Sequence, residues 1–163
     1  MRRVPVLVAT LMLTATAALA QSSVTKFLTE AIQGNFAEVK MGELAQQNGQ
    51  SEGVKSFGQM LVNDHGEANK KAVDVAKASN VNAPNGPNAR QNADYARMSK
   101  MTGAAFDKSF VQYMIADHKK DIAAYKKEAR QTDSAGHYAQ EALPTLEKYL
   151  DTAQELQRDR SKR

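Results

Sequence analysis

Two segments of the chain carry the same set of residues that could do chemistry, and each set ends in an adjacent aspartate and histidine. The first segment, KSFGQMLVNDH, covers residues 55–65, and the second, KSFVQYMIADH, covers residues 108–118. Lys, Ser, Phe, Gln, Asp and His recur in the same register. Carboxylate and imidazole groups bind divalent metal ions, and they also hydrogen-bond to each other. The repeated Asp-His pair is therefore the candidate site of this chain.

Both pairs fall on the buried face of a predicted helix. In each segment a phenylalanine and then Leu61 or Met114 lead along an apolar stripe with helical spacing. The next position of the stripe falls on the Asp-His pair. Neighbouring residues on a helix point about 100° apart, so one member of each pair faces the core and the other faces its flank. Polar groups in such places need partners.

One interpretation of the repeat is structural. If the two segments pack antiparallel about an approximate two-fold axis, Asp64 hydrogen-bonds to His118 and Asp117 hydrogen-bonds to His65. The two pairs then form a reciprocal clasp that fixes the register of the helices. Buried polar side chains commonly satisfy one another in this way.

A second interpretation is a metal site. Helical bundles build such sites from carboxylates and histidines on facing helices, and Glu38 on the first helix has a position from which its carboxylate could join them. The adjacent Asp-His pair differs from the Glu-x-x-His spacing of di-iron bundles. A third interpretation, surface exposure without a role, does not explain why the pattern occurs twice. In the metal interpretation, the candidate ligands for iron or zinc are Glu38, Asp64, His65, Asp117 and His118.

The rest of the sequence predicts the helices that position these pairs. Amphipathic periodicity indicates four long helices and one short helix, and no segment alternates as a strand would. Ser51 and Thr102 are predicted N-caps, and Pro144 should kink the last helix. The segment NVNAPNGPNAR is a predicted loop because of its prolines, glycine and asparagines. The long helices cover about 24–47, 51–78, 102–130 and, after a cap at Asp133 or Ser134, up to about 156; the short helix covers about 91–100.

These elements predict an all-α, single-domain four-helix bundle. The long connection between the second and third long helices, which includes the short extra helix, leaves two topologies open. The connection can cross the bundle, as in ferritin-like proteins, or it can decorate an up-down bundle.

The first twenty residues predict an export signal. Arg2 and Arg3 form a positive n-region, residues 4–17 are mostly apolar, and Ala18-Leu19-Ala20 has the small-x-small form of a signal peptidase site. The mature chain would then be residues 21–163, located in the periplasm or outside the cell. An uncleaved membrane anchor is the alternative. No later apolar run is long enough to cross a membrane.

Composition excludes several classes of protein. The chain of 163 residues contains no cysteine, which excludes thiol catalysis, thiolate metal sites and disulfides. Loss of the two arginines of the signal lowers the formal charge from +4 to +2, and the basic residues are mixed with acidic ones, which argues against a nucleic-acid partner. The sequence has no Gly-x-Ser-x-Gly, no phosphate-binding loop and no His-Glu-x-x-His, so no enzyme class is indicated.

With these residues identified, the chain resembles the exported bacterial proteins grouped as domain of unknown function 4142, within the ferritin-like group. The matching segments are NFAEVKMGELA, VKSFGQMLVNDHGEANK, MTGAAFD, YMIADHKKDIAAYKKEA and LPTL, which cover nearly all of the mature chain. The resemblance implies a ferritin-like bundle outside the cytoplasm and no established activity. Tyr149 departs from the family pattern, because a histidine often follows the LPTL segment; a ligand at that position would be missing here. The resemblance also implies that six residues lie on polar positions typical of the family: Glu38, Asp64, His65, Asp117, His118 and Glu128.

Three functions are compatible with these patterns. The leading hypothesis is a non-enzymatic binding or stress-related protein of the cell envelope, whose Asp-His clasp holds the register of the bundle. The alternative is a metal-binding or oxidase-like protein that uses the five candidate ligands. A third is a module that binds a protein partner, or a second copy of itself, through an exposed helix face.

Overall fold

The computed structural model of the chain describes the backbone of residues 7–161 and the side chains of residues 21–160. This part of the chain contains five α-helices and no strand, which confirms the all-α prediction. The predicted signal segment, residues 1–20, lies outside the described side chains, and its cleavage stays a prediction. No helix among the described residues combines the length and apolar character needed to cross a membrane. The helices are α1 Leu7–Asn48, α2 Glu52–Ala78, α3 Ala89–Met98, α4 Gly103–Glu128 and α5 Ser134–Ser161.

Side-chain caps fix where several helices begin. The Ser51 hydroxyl accepts a hydrogen bond from the Val54 amide at 3.4 Å, as predicted for the start of α2. Asp133 caps α5 by accepting a 2.8 Å hydrogen bond from the Gly136 amide. Thr102 stands at the N-cap position of α4 but makes no side-chain cap bond. The prediction of Thr102 therefore gave the correct helix boundary and the wrong interaction.

Helices α1 and α2 form an antiparallel hairpin. Three contacts occur in ascending order along α1 and in descending order along α2. The Gln21 side chain donates to the Ser79 carbonyl at 3.0 Å, and the Asn35 side chain is 2.9 Å from the His65 ring. Gly42 lies against Gly58. A Cβ atom built on Gly42 would lie 2.5 Å from the Gly58 carbonyl oxygen. The two backbones can touch there because neither residue has a side chain.

Helices α2 and α4 run parallel. The ring centroids of Phe57 and Phe110 are 6.0 Å apart. Two turns further toward the C-terminus of each helix, the ring centroids of His65 and His118 are also 6.0 Å apart. Since α2 and α4 point the same way, the connection of residues 79–102 must return along the whole bundle. Of the two topologies that the sequence left open, the structure has the crossing connection, and α3 lies within it.

Helices α4 and α5 form the second antiparallel hairpin. The Lys126 ammonium group lies 2.8 Å from the Glu147 carboxylate near one end, and Arg160 donates to the Ala104 carbonyl at 3.4 Å near the other. The bundle therefore consists of two hairpins, α1–α2 and α4–α5, joined by the crossing connection.

Aromatic side chains fill the core at both ends of a central polar band. Phe57, Phe106 and Phe110 pack together at one end, with ring centroids 5.6–6.0 Å apart. At the other end Phe27 packs against Tyr125 at 4.9 Å. The buried polar side chains between them include Asn35, Glu38, His65 and His118. A polar band inside an apolar core is costly unless its groups find partners.

Asp107 ties the two hairpins together at the α1–α2 turn. Its carboxylate is 3% exposed and accepts hydrogen bonds from the Gln50 amide at 2.8 Å and the Ser51 amide at 3.0 Å. Backbone donors at the start of α2 are thus satisfied by a side chain of α4. Sequence reasoning missed this contact, because a single aspartate one turn into a helix carries no specific signal.

Candidate metal centre

Three side chains from three helices converge in the polar band. Glu38 comes from α1, His65 from α2 and His118 from α4, and one potential ligand atom of each lies within 4.8 Å of the other two. The three residues are only 2%, 5% and 2% exposed. Two ligand atoms that bind one zinc ion at about 2.1 Å are at most about 4.2 Å apart, so small side-chain rotations suffice to close the group on an ion.

A hydrogen bond fixes the proton position of His65. Its Nδ1 atom lies 2.9 Å from Oδ1 of Asn35, which can only accept, so the Nδ1–H group donates and Nε2 keeps its lone pair. The Asn35 amide nitrogen donates in turn to the Tyr138 hydroxyl at 3.3 Å, which fixes the orientation of the amide. The Asn35 and Tyr138 side chains therefore orient His65 as outer-shell groups orient metal-binding histidines.

His118 is fixed in the same tautomer by its own helix. Its Nδ1–H group donates to the Met114 carbonyl oxygen at 2.9 Å. A backbone carbonyl cannot donate, so the Nε2 lone pair of His118 is also left available. Both histidines present the nitrogen that metal sites commonly use.

Each of the three side chains has one buried polar atom without a hydrogen-bond partner. Glu38 Oε2, His65 Nε2 and His118 Nε2 are all buried and unpaired. An unsatisfied buried polar atom costs about 1–3 kcal/mol, so three at one point are a substantial destabilisation. A proton on Glu38 can be donated to one histidine at most, whereas a single cation satisfies all three atoms together.

Burial shifts the pKa values of the three groups toward their neutral forms. Burial, and then the neighbouring His118, lowers the pKa of His65 to about 3. Burial also lowers the pKa of His118, while burial and the charges of Asp117 and Asp121 raise the pKa of Glu38 well above its ordinary value. Near neutral pH the two imidazoles are unprotonated and ready to bind a metal, and the raised pKa of Glu38 makes protons stronger competitors for its carboxylate than for an ordinary one.

The predicted Asp-His clasp is wrong. Asp64 accepts a hydrogen bond from the Tyr149 hydroxyl group, and neither histidine bonds to an aspartate. The physical reason is the direction of the helices. The clasp required α2 and α4 to be antiparallel, but they are parallel, so equivalent positions of the repeat meet and His65 faces His118.

Of the five candidate ligands, the structure brings three together and leaves two outside the group. Asp117 lies beside the group, where its charge helps to raise the pKa of Glu38, and its carboxylate is 3.9 Å from the Lys120 ammonium group. Asp64 is exposed at the other side. Glu128 is buried elsewhere, and among the described side chains no second group of three potential ligands occurs.

Tyr149 covers the centre from α5. Its ring centroid is 5.4 Å from that of His65 and 5.5 Å from that of His118, and the residue is 1% exposed. The position singled out by its departure from the family pattern therefore faces the two histidines. Sequence reasoning missed Asn35, although its position three residues before Glu38 places it on the same face of α1.

One family model matches most of the chain. The family described as domain of unknown function 4142 matches residues 9–156, and the chain belongs to this family. No curated protein and no solved structure matches the chain.

Proposed function

We propose that this protein binds one divalent transition-metal ion through Glu38, His65 and His118. The observation that carries the proposal is the convergence of three buried, unpaired ligand atoms from three helices. The fixed tautomers of both histidines support it, because an Nδ1 hydrogen bond leaves each Nε2 lone pair available to an ion.

The chemistry of the ligands indicates which ions fit. Two imidazoles and one carboxylate suit Zn²⁺, Fe²⁺ or Co²⁺, whereas Ca²⁺ and Mg²⁺ prefer sets made of oxygen atoms alone. Three protein ligands leave at least one coordination position for water or a small molecule, as in metal sites that carry out chemistry. The role proposed here is binding; the residues around the site indicate no particular reaction.

Thermal unfolding with and without added metal tests the proposal. A metal ion that binds only the folded chain stabilises it by about 2.7 kcal/mol at a free concentration of 100 times Kd, which raises Tm by several degrees. The His65→Ala and Glu38→Ala variants should lose this rise. His137→Ala is the matched control, because His137 is the exposed histidine outside the group and its loss should leave the rise intact. No rise in Tm with Zn²⁺, Co²⁺ or anaerobic Fe²⁺ would refute the proposal.

We also infer that the site works outside the cytoplasm. The positive n-region, the apolar run and Ala18-Leu19-Ala20 support export followed by cleavage. The mass of the protein in the periplasmic fraction tests this, since cleavage gives a mature chain that begins at Gln21. An intact N-terminus in the membrane fraction would identify the segment as an anchor.

A further inference from the structure

A cavity of about 350 Å³ between α2 and α5 reaches one of the proposed metal ligands. Its volume falls within the range of small-molecule sites in proteins. His65 lines the cavity, together with Asn35, whose amide holds the His65 ring. His65 is 5% exposed, and its Nε2 atom has no hydrogen-bond partner. The buried wall also includes Tyr125, Tyr138 and Leu146, so its inner part is mostly aromatic and aliphatic.

The proposed metal centre has one protein ligand fewer than a closed site. Structural zinc sites usually hold the ion with four protein ligands, whereas the group found here has three, Glu38, His65 and His118. The remaining position of such an ion takes water or another molecule from outside the protein. The cavity lined by His65 is a route by which that molecule can arrive.

Tyr149 lies where the cavity meets the metal centre. It lines the cavity, and its ring centroid is 5.5 Å from that of His118 and 5.4 Å from that of His65. Its hydroxyl group donates a hydrogen bond to the carboxylate of Asp64, an exposed residue that also lines the cavity. If this bond breaks, water can solvate Asp64, and the ring can then shift and join the cavity to the centre.

The charges around the cavity favour an uncharged ligand. Its charged lining residues are Asp64, Glu67, Glu141 and Lys71. Lys70 adds a second positive charge, because it forms a 2.7 Å ion pair with Glu67. Carboxylates still outnumber ammonium groups, so an anion is repelled at the mouth of the cavity, and a cation is repelled by the metal ion itself. An uncharged molecule meets neither barrier, and it suits the aromatic and aliphatic wall.

We propose that this cavity binds a small uncharged molecule whose nitrogen or oxygen atom takes the open coordination position of the metal ion, and that the Tyr149 ring moves aside as the molecule binds. This inference rests on the proposed metal-binding function. It gives the site a class of ligand. It also makes Tyr149 a cover, whose hydrogen bond to Asp64 competes with that ligand.

Nicotinamide and nicotinate are suitable probes, because they share a pyridine nitrogen and a similar shape but differ in charge. Each is titrated into the Co²⁺-loaded protein at neutral pH, and the visible absorption of Co²⁺ reports binding at the ion. Nicotinamide should change the spectrum and bind more tightly than nicotinate, on the order of fivefold. If neither probe changes the spectrum, the ligand site is refuted. If nicotinate binds as tightly as nicotinamide or more so, the assignment to an uncharged ligand is wrong.

Two alanine-to-leucine variants test the place of binding without changing a charge. Ala142 lines the cavity, whereas Ala116 is exposed and lines a separate groove between α1, α3 and α4. Ala142→Leu should weaken nicotinamide binding on the order of tenfold, because the larger side chain takes space that the ligand needs, and it should keep the Co²⁺ affinity of the parent protein. Ala116→Leu, the matched control, should change neither. The cavity is refuted as the site if Ala142→Leu binds nicotinamide like the parent, or if Ala116→Leu weakens binding equally.

Tyr149→Phe tests the movement of the cover, because it keeps the ring and removes the hydrogen bond to Asp64. The ligand no longer has to break that bond, so nicotinamide should bind more tightly, on the order of tenfold. Tyr113→Phe, a matched change in the separate groove, should bind like the parent. Unchanged or weaker binding by Tyr149→Phe would show that the ring does not move aside. Failure of the proposed function looks different, because the parent protein would then give no Co²⁺ spectrum, or His65→Ala would keep it.

Discussion

Each histidine of the centre uses one ring nitrogen to hold its position and leaves the other free. For His65 the holding group is the amide of Asn35, and for His118 it is a carbonyl of its own helix. The first group can be removed by mutation and the second cannot. Asn35 therefore offers a direct way to test whether the orientation of His65 matters for metal binding.

Replacement of Asn35 by alanine should weaken metal binding by about 10- to 100-fold, because the outer-shell hydrogen bond that fixes the ligand is lost. Isothermal titration with Zn²⁺ measures the change in Kd. Asn63→Ala is the matched control, because Asn63 is exposed on α2 and bonds only to Gln59 among the described contacts. Equal affinities for the parent protein and Asn35→Ala would show that packing alone orients the ring.

The lowered pKa of His65 predicts how the metal-free protein responds to acid. The unfolded chain binds a proton on this residue below about pH 6.5, whereas the folded chain does so only near pH 3. The stabilisation from neutral His65 is therefore complete above pH 6.5 and is lost as the pH falls toward 3, by about 1.4 kcal/mol per pH unit. Urea unfolding at pH 7, 6 and 5 should show this loss, and the loss should be smaller in His65→Ala. An equal acid dependence in the two proteins would contradict the assignment.

Sequence reasoning could propose which residues form the centre, but not which of their side chains contact one another. In an Asp-His pair two adjacent side chains point about 100° apart, and the pattern does not say which one faces the core. In both repeats the histidine does so, and Asp64 turns to Tyr149 while Asp117 turns toward Glu38. These choices depend on neighbours from α5 and α1, which no local pattern reveals.

At the scale of helices, periodicity and caps predicted most of the architecture. The bounds of α2 and α4 agree with the predicted segments to within two residues, because amphipathic stripes and the cap at Ser51 are local signals. The relative direction of α2 and α4 was not predictable in this way. A repeated apolar stripe can pack against its copy with the two helices parallel or antiparallel. The length and path of the crossing connection determine which of the two directions occurs.

The glycine contact between α1 and α2 predicts opposite effects for two similar substitutions. Gly42→Ala places a Cβ atom 2.5 Å from the Gly58 carbonyl oxygen, so the helices must move apart, at a cost of about 1–3 kcal/mol. Gly66→Ala, also in a helix, meets nothing within 4 Å and should stabilise the protein by about 0.5–1 kcal/mol through helix propensity. Chemical denaturation of the two variants measures both changes in the free energy of unfolding, which should have opposite signs. A neutral Gly42→Ala would mean that the hairpin adapts at that contact.

At the scale of the whole molecule, the centre joins parts that the chain keeps far apart. Glu38 and His65 belong to the α1–α2 hairpin, and His118 belongs to the α4–α5 hairpin. The Asp107 carboxylate forms a second link between the hairpins at the α1–α2 turn. An ion at the centre would therefore hold the two hairpins together, rather than stabilise either one alone.

The parallel arrangement of α2 and α4 has a consequence for the order of folding. Each hairpin forms from contacts that are near in sequence, whereas the pairing of His65 with His118 requires closure of the long crossing connection. The three proposed ligands are therefore brought together only when the two hairpins dock. An interaction absent from the transition state slows unfolding and leaves refolding unchanged. Metal should therefore shift the unfolding arm of a chevron plot and not the refolding arm, and its benefit to the cell would be a longer lifetime of the folded chain rather than faster folding.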